Sequence, residues 1–275
     1  MNLPHITHKQ EEIITLIYKH RFLERKHIQQ YFGHIDKRRS TKWLKDLKEK
    51  QFVDWIYDPN DPNERSTPAI FFIESNGIRY LRSLGSYPED ELRKRYKDST
   101  RQQDFIDRCL LLADCCIHLE VRNKEGGDEL HYDYALEVDY LDPDNGFHYL
   151  SDDELILPDI AFTKLLGSDE GPVNQTYFLQ LFAPSTPRYM IRKKLKAYVD
   201  YLQAYRWESF YDGGNPPIAL ISCPNLAELI YAKQYVRKLF ADEYDDDASE
   251  EIVLRFTIID KLKTKGLTAV IWEDL

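Results

Sequence analysis

The chain is poor in the residues that mark secreted, membrane-spanning or metal-caged proteins. Only 4 cysteines occur in 275 residues: Cys109, Cys115, Cys116 and Cys223. None forms a C-x-x-C pair and three fall in one apolar helical stretch. This predicts buried free thiols in a reducing compartment, not a disulfide framework or a metal site. No apolar run reaches the roughly 18–20 residues of a membrane span. The start, Met1-Asn-Leu-Pro-His-Ile-Thr-His8, lacks the charged-then-apolar pattern of a secretory signal, so a cytoplasmic location without membrane contact is expected. The 8 histidines are scattered, with no H-E-x-x-H spacing. A Walker A loop, a G-x-G-x-x-G turn, a nucleophile elbow and an internal repeat are all missing.

Basic charge is scarce too, with 37 Lys+Arg against 47 Asp+Glu and a net charge of −10. Such a chain is a poor general candidate for nucleic-acid binding. The distribution of charge points the other way. Residues 1–100 hold 19 basic and 15 acidic residues, whereas the remainder holds 18 and 32. Positive charge is concentrated in the first part, and the acidic remainder should weaken non-specific sticking to DNA.

Within that first part, Asp36–Lys50 predicts a helix with Trp43, Leu44 and Leu47 on one face. Arg38, Lys42 and Lys45 form a stripe directly opposite. A core face backed by a basic face suits a DNA recognition helix, because one side anchors while the other meets phosphates and base edges. A solvated surface helix has the same pattern. The flanking elements favour the first reading. Thr7 and Gln10 fit a capping box ahead of Ile13, Ile14 and Ile17. A second helix over Glu24–Phe32 buries Ile28, Tyr31 and Phe32 and stops at Gly33. Asp36 caps the third helix. Phe52–Tyr57 and Ala69–Ile73 read as strands on either side of a turn-rich loop containing Arg65. Ser75-Asn76-Gly77 opens a closing helix with Ile78, Leu81 and Leu84. Three helices, a two-stranded wing and a closing helix constitute a winged helix-turn-helix over residues 1–86. Arg38, Thr41, Lys42 and Lys45 are its candidate groove contacts, and Arg65 the wing contact to backbone or minor groove.

Residues 87–100 read as an exposed charged connector, and 101–275 as a second domain. The latter opens with a helix over Gln102–Leu119, apolar enough to contribute to a homodimer interface. A polar region, Asn123–Asp153, has a short strand candidate at Tyr134–Tyr140. Strand and helix then alternate: strands Leu155–Phe162 and Thr176–Phe182, helix Pro187–Tyr205, strand Pro217–Ser222 and helix Leu226–Ala241. Val253–Ile259 and Leu267–Trp272 are the final strand candidates. Asp242–Glu251 is an acidic loop, read as a solvated connection. The economical architecture is an α/β sandwich around a mixed sheet, giving a chain that is α+β overall.

Leu155-Ile-Leu-Pro-Asp-Ile-Ala-Phe162, followed by Tyr177-Phe-Leu-Gln-Leu-Phe182 and a helix rich in lysine, resembles the PD-(D/E)XK nuclease fold. Together with the N-terminal motif, the whole chain is similar to replication-relaxation family proteins. Those proteins are encoded on plasmids and integrative elements of Gram-positive bacteria and associated with replication or DNA relaxation. In active members of the nuclease fold, two acids hold a divalent metal and a lysine two residues beyond the second acid positions the attacking water. Here Asp159 matches the first acid, whereas Gln180 stands at the second and Phe182 at the lysine. The resemblance therefore implies a degenerate site needing no cofactor. An active site would need magnesium or manganese on Asp159 and Gln180. It would also need a lysine from the next helix, Lys194 or its neighbours Lys193 and Lys196, and an extra acid such as Glu137 or Asp139. The plainer reading of Asp159 is a strand-end cap after Pro158.

Three functions remain open at this level. The leading expectation is a sequence-specific binder of double-stranded DNA from a mobile element, acting in replication, its control or transcription. The second is a metal-dependent endonuclease or nickase. The third is an adaptor whose acidic C-terminal domain recruits replication or transfer proteins.

Overall fold

The computed structural model describes residues 3–34, 36–56, 67–126, 130–136, 158–166, 173–205, 215–244 and 252–275. Arg65, Glu137, Asp139, residues 155–157 and most of the acidic loop (245–251) lie outside the described residues. The protein is a mixed α/β chain that divides into two compact units, Met1–Ile117 and His118–Leu275. The division falls inside one long helix.

In unit 1 the elements run α1 (His8–His20), β1 (Leu23–Glu24), α2 (Arg25–Tyr31), α3 (Lys37–Glu49), β2 (Val53–Ile56), β3 (Ile70–Ile73), α4 (Ser75–Leu84) and α5 (Glu89–Lys94). A 3-10 turn, Arg95–Thr100, leads into α6 (Gln103–Gly126). Gln10 accepts a hydrogen bond from the Thr7 backbone N–H at 2.9 Å, completing the cap of α1. Ile13, Ile14 and Ile17 recur at helical spacing and are fully buried. The strands form a small antiparallel sheet in the order β1-β3-β2. Leu23↔Phe71 pairing adds β1, a two-residue strand too short to carry a periodicity of its own. Gly77 is obligatory at the start of α4, because a Cβ there would meet the Phe52 carbonyl oxygen at 2.3 Å.

The 87–100 stretch, expected as an exposed charged connector, is mostly exposed but also supplies part of this core. Leu92, Arg95 and Asp98 are buried, and the fully buried Arg21 donates to Asp98 through Nε at 3.2 Å and through its terminal nitrogen. Its charges are buried because they find partners: Arg101 stands 3.9 Å from the same carboxylate, and Arg95 lies over the Tyr18 ring. The first half of α6 belongs to unit 1 as well. Phe105 packs edge-on against Phe22, and His27 on α2 bonds Asp114 at 2.8 Å.

Unit 2 is built on a six-stranded sheet. Its strands are β4 (Leu130–Leu136), β5 (Ile160–Leu166), β6 (Val173–Leu181), β7 (Ile218–Cys223), β8 (Leu254–Ile258) and β9 (Glu273–Asp274), adjacent in chain order. β4, β5 and β6 are antiparallel, β6, β7 and β8 parallel, and β9 returns antiparallel. Parallel neighbours require crossovers, which α7 (Arg188–Gln203) and α8 (Leu226–Glu243) provide. Ile191, Leu195, Tyr198 and Leu202, one face of α7, pack with Phe178, Ile221, Val236 and Phe256 in a single apolar core. A short helix, α9 (Ile259–Lys265), packs against β7 and β8. Leu267–Trp272, expected as a strand, is a turn instead. Gly266 adopts φ +84° after α9, and the Trp272 indole donates to the Leu267 carbonyl, closing a turn where apolar residues alone suggested extension. All four cysteines are buried free thiols, as expected, and burial pushes Cys109 and Cys223 up to about 12.

Candidate nucleic-acid interface and the buried Asp159 centre

The outward stripe of α3 follows from how the helix is anchored. Leu44 is 1% exposed and Leu47 fully buried. Burial of each is worth about 1.5–3 kcal/mol, enough to fix the helix's rotation about its axis. Trp43 closes the inner face against Phe32 and His34, at ring separations of 5.8 and 5.3 Å. Asp36 accepts from the Arg38 N–H at 2.8 Å, which starts the helix where the sequence placed it. Arg38, Thr41, Lys42 and Lys45 are consequently exposed together, and Arg39 beside them.

The cations of α3 divide into two sets. Lys48 is bonded to Asp54 on β2 and lies 4.4 Å from the Trp55 ring centroid, tying helix to strand. Lys50 bonds Asp46 at 2.7 Å and the His5 carbonyl at 2.9 Å. Asp46 also accepts from Gln10 at 2.6 Å, and the hydrogen bond from Lys50, then that from Gln10, holds its carboxyl below the usual carboxylate range. That carboxylate stands four residues beyond Lys42 and is already engaged. Among the described residues, Arg38 and Lys42 form no ion pair, and Lys45 approaches Glu49 only to 4.0 Å. Thr41 is exposed and returns its hydroxyl to the Lys37 carbonyl at 2.8 Å.

Beside Thr41 and Lys45 runs a groove of about 480 Å³ between α2, α3 and the strand pair, lined by Glu24, Arg25, Lys26, Leu44, Trp55 and Phe71 among others. Arg25 was not singled out by the sequence. The doublet Arg25-Lys26 at the start of α2 was visible, but nothing in one dimension places it beside Lys45.

Asp159 occupies a different setting. It is 3% exposed and directly precedes β5. Its Oδ2 accepts from the Leu181 backbone N–H at 2.6 Å and from the Gln180 amide nitrogen at 3.0 Å. Its own N–H donates to the Leu179 carbonyl at 2.8 Å. The Gln180 carbonyl oxygen meets the Tyr198 hydroxyl at 3.5 Å, and Lys194 stands 5.7 Å from the centre of the Tyr198 ring. Asp159 and Gln180 are thus brought together, as acceptor and donor. A metal would need both oxygens; here the amide nitrogen faces the carboxylate. Among the described residues no group of three His, Cys, Asp or Glu side chains is placed to hold a metal ion. No helix of the described residues is long and apolar enough to cross a membrane.

Compared with known family models, curated proteins and solved structures, the chain shows no match.

Proposed function

We propose that the protein is a sequence-specific binder of double-stranded DNA, with unit 1 as a winged helix-turn-helix and unit 2 as a nuclease-like domain that does not cut. The observation that carries this reading is the division of the α3 cations. Lys48 and Lys50 are used internally, while Arg38, Lys42 and Lys45 face outward as a stripe next to the β2–β3 pair. Among the described residues Arg38 and Lys42 form no ion pair and Lys45 reaches Glu49 only at 4.0 Å, so the stripe keeps charge available for phosphates. Arginine offers guanine a planar pair of donors, so Arg38 reads bases and the lysines hold the backbone. In this reading the chain serves a plasmid or integrative element, in replication, its control or transcription, as the likeness to replication-relaxation proteins implies.

The hydrogen bonds at Asp159 support a structural role for the nuclease-like centre. Its carboxylate caps the β5–β6 junction, and the residue standing where the second acid would be is its donor. Duplex binding measured against salt tests the reading. Wild type should bind with an affinity that falls as salt rises, and an Arg38/Lys42/Lys45→Ala variant should lose that binding. Absence of binding to any duplex at low salt overturns it. Nicking of supercoiled plasmid with magnesium or manganese, abolished by Asp159→Ala, would restore the endonuclease reading.

A further inference from the structure

The groove beside α3 has chemistry that phosphate contacts alone do not use. Its floor is apolar: Leu44 and Phe71 are buried, and Trp55 is fixed between the Phe71 ring, 5.9 Å away, and the Lys48 ammonium. Its volume of about 480 Å³ lies within the roughly 300–1,000 Å³ of small-molecule sites. Charge enters only at the walls. Glu24 and Lys26 offset each other at 3.6 Å, and Lys26 also meets Asp114 at 3.2 Å. That leaves Arg25, which forms no ion pair among the described residues, and Lys45, which reaches Glu49 only at 4.0 Å, as the cations with charge to offer. An apolar, aromatic-lined floor beneath two cations is complementary to one kind of small molecule: a flat hydrophobic body bearing an anionic group.

We propose that this groove binds a small amphipathic anion, an aromatic or alicyclic carboxylate or sulfonate, and that its occupant and DNA exclude each other. Exclusion follows because Thr41 and Lys45 line the groove and also belong to the outward stripe. The ligand site stands on the groove itself, whereas the exclusion rests on the DNA reading above. An occupant lying against Trp55 neutralises Lys45 and raises bulk between α3 and the strands, so it acts as an effector that releases DNA. The two ligands then weaken each other by the same factor.

The test uses the full chain and 1-anilinonaphthalene-8-sulfonate as the probe. Its fluorescence should rise on titration. With 15N-labelled indoles, the Trp55 signal, assigned through Trp55→Phe, should move while that of Trp272 stays. Arg25→Glu with Lys45→Glu, both exposed positions, should weaken the probe about tenfold by replacing two attractions with two repulsions. Arg237→Glu with Lys238→Glu, the same charge change at two exposed positions of α8, should leave it unchanged. Probe binding that shifts Trp272 instead of Trp55, or that responds equally to both charge changes, overturns the site. Probe binding at Trp55 that leaves duplex affinity unaltered overturns the exclusion while the site stands. Failure of the protein to bind any duplex overturns the exclusion together with the DNA reading, while the Trp55 shift still decides the site.

Discussion

Helices α3 and α7 carry similar basic clusters and employ them differently. On α7, Lys196 is held by Glu243 at 2.7 Å and Asp200 at 3.2 Å, and the hydrogen bond it donates to Glu243 raises its pKa above the ordinary lysine range. Arg188 at the start of the same helix pairs with Glu228 at 3.1 Å and lies over the Tyr231 ring. Lys194 stands near a tyrosine ring. On α3 the corresponding capture stops at Lys48 and Lys50. A count of lysines and arginines does not distinguish the two helices. Carboxylates on neighbouring elements do, because an exposed cation already paired has less charge to offer a phosphate.

Removing each cluster in turn and measuring duplex affinity tests this difference between the helices. Arg38/Lys42/Lys45→Ala should reduce affinity by roughly 10²–10³-fold. It should also flatten the salt dependence by about 0.9 in log–log slope for each side chain that meets a phosphate. Arg188/Lys196→Ala on α7, whose charges Glu228, Asp200 and Glu243 already hold, should change affinity less than about twofold. Equal losses from both would show that the acidic unit also contacts DNA, and the contrast between the helices would fall.

A second contrast concerns acids. Gln180→Glu restores the acid of the nuclease pattern, but here it places a second carboxylate against buried Asp159 and removes the amide donor. We expect a loss of about 1–3 kcal/mol in chemical denaturation at pH 7, without metal-dependent cutting. Stabilisation of this variant by millimolar magnesium or manganese would reveal a metal site one substitution away, and would overturn the purely structural account of Asp159.

Much of this was legible one residue at a time. The cap at Thr7, the Asp36 start of α3 and the inner faces of α3 and α7 follow from local spacing, because amphipathic periodicity records which side meets a core. The missed features are those that depend on distant partners. Asp98 looked solvated until Arg21, more than seventy positions earlier, supplied a buried counter-charge, and Arg95 until it met the Tyr18 ring. The start of α6 read as the opening of a second domain, yet its Phe105 and Asp114 face Phe22 and His27 of unit 1. Within the candidate interface, Arg38, Thr41, Lys42 and Lys45 were legible because they share one helix. Arg25 was not, since only the fold sets α2 beside them.

Acid should separate the two units. His20 is fully buried in unit 1, and among the described residues neither ring nitrogen has a hydrogen-bond partner. Burial, with Lys19 and His27 adding to it, lowers its pKa from 6.5 to about 3. Between those values the unfolded chain binds a proton that the native chain excludes. Stability from this group is therefore complete above pH 6.5 and falls by about 1.4 kcal/mol per pH unit below it, down to about pH 3. His118 in unit 2 is lowered too, by burial and then Arg122, but it retains a 2.7 Å contact with Thr268. Denaturation followed at pH 7, 6 and 5 should show unit 1 weakening first, and His20→Phe should flatten its slope. An unchanged slope in that variant would assign the acid sensitivity elsewhere.

The finest contrast lies within the α3 stripe. Arg38→Ala should cost about 1–3 kcal/mol on the preferred duplex and little on others, because a guanidinium bonded to one base edge contributes only where that base is present. Lys45→Ala should weaken every duplex by a similar, smaller factor, about threefold at moderate salt, and lower the salt slope by about one contact. A selected-sequence pool read before and after each substitution separates the two outcomes. If both variants shift the preferred sequence, the lysine also reads bases; if neither does, specificity comes from DNA shape or from the wing loop. The division between reading and holding would then rest on the bend of the duplex, and the α3 stripe would serve as a purely electrostatic anchor.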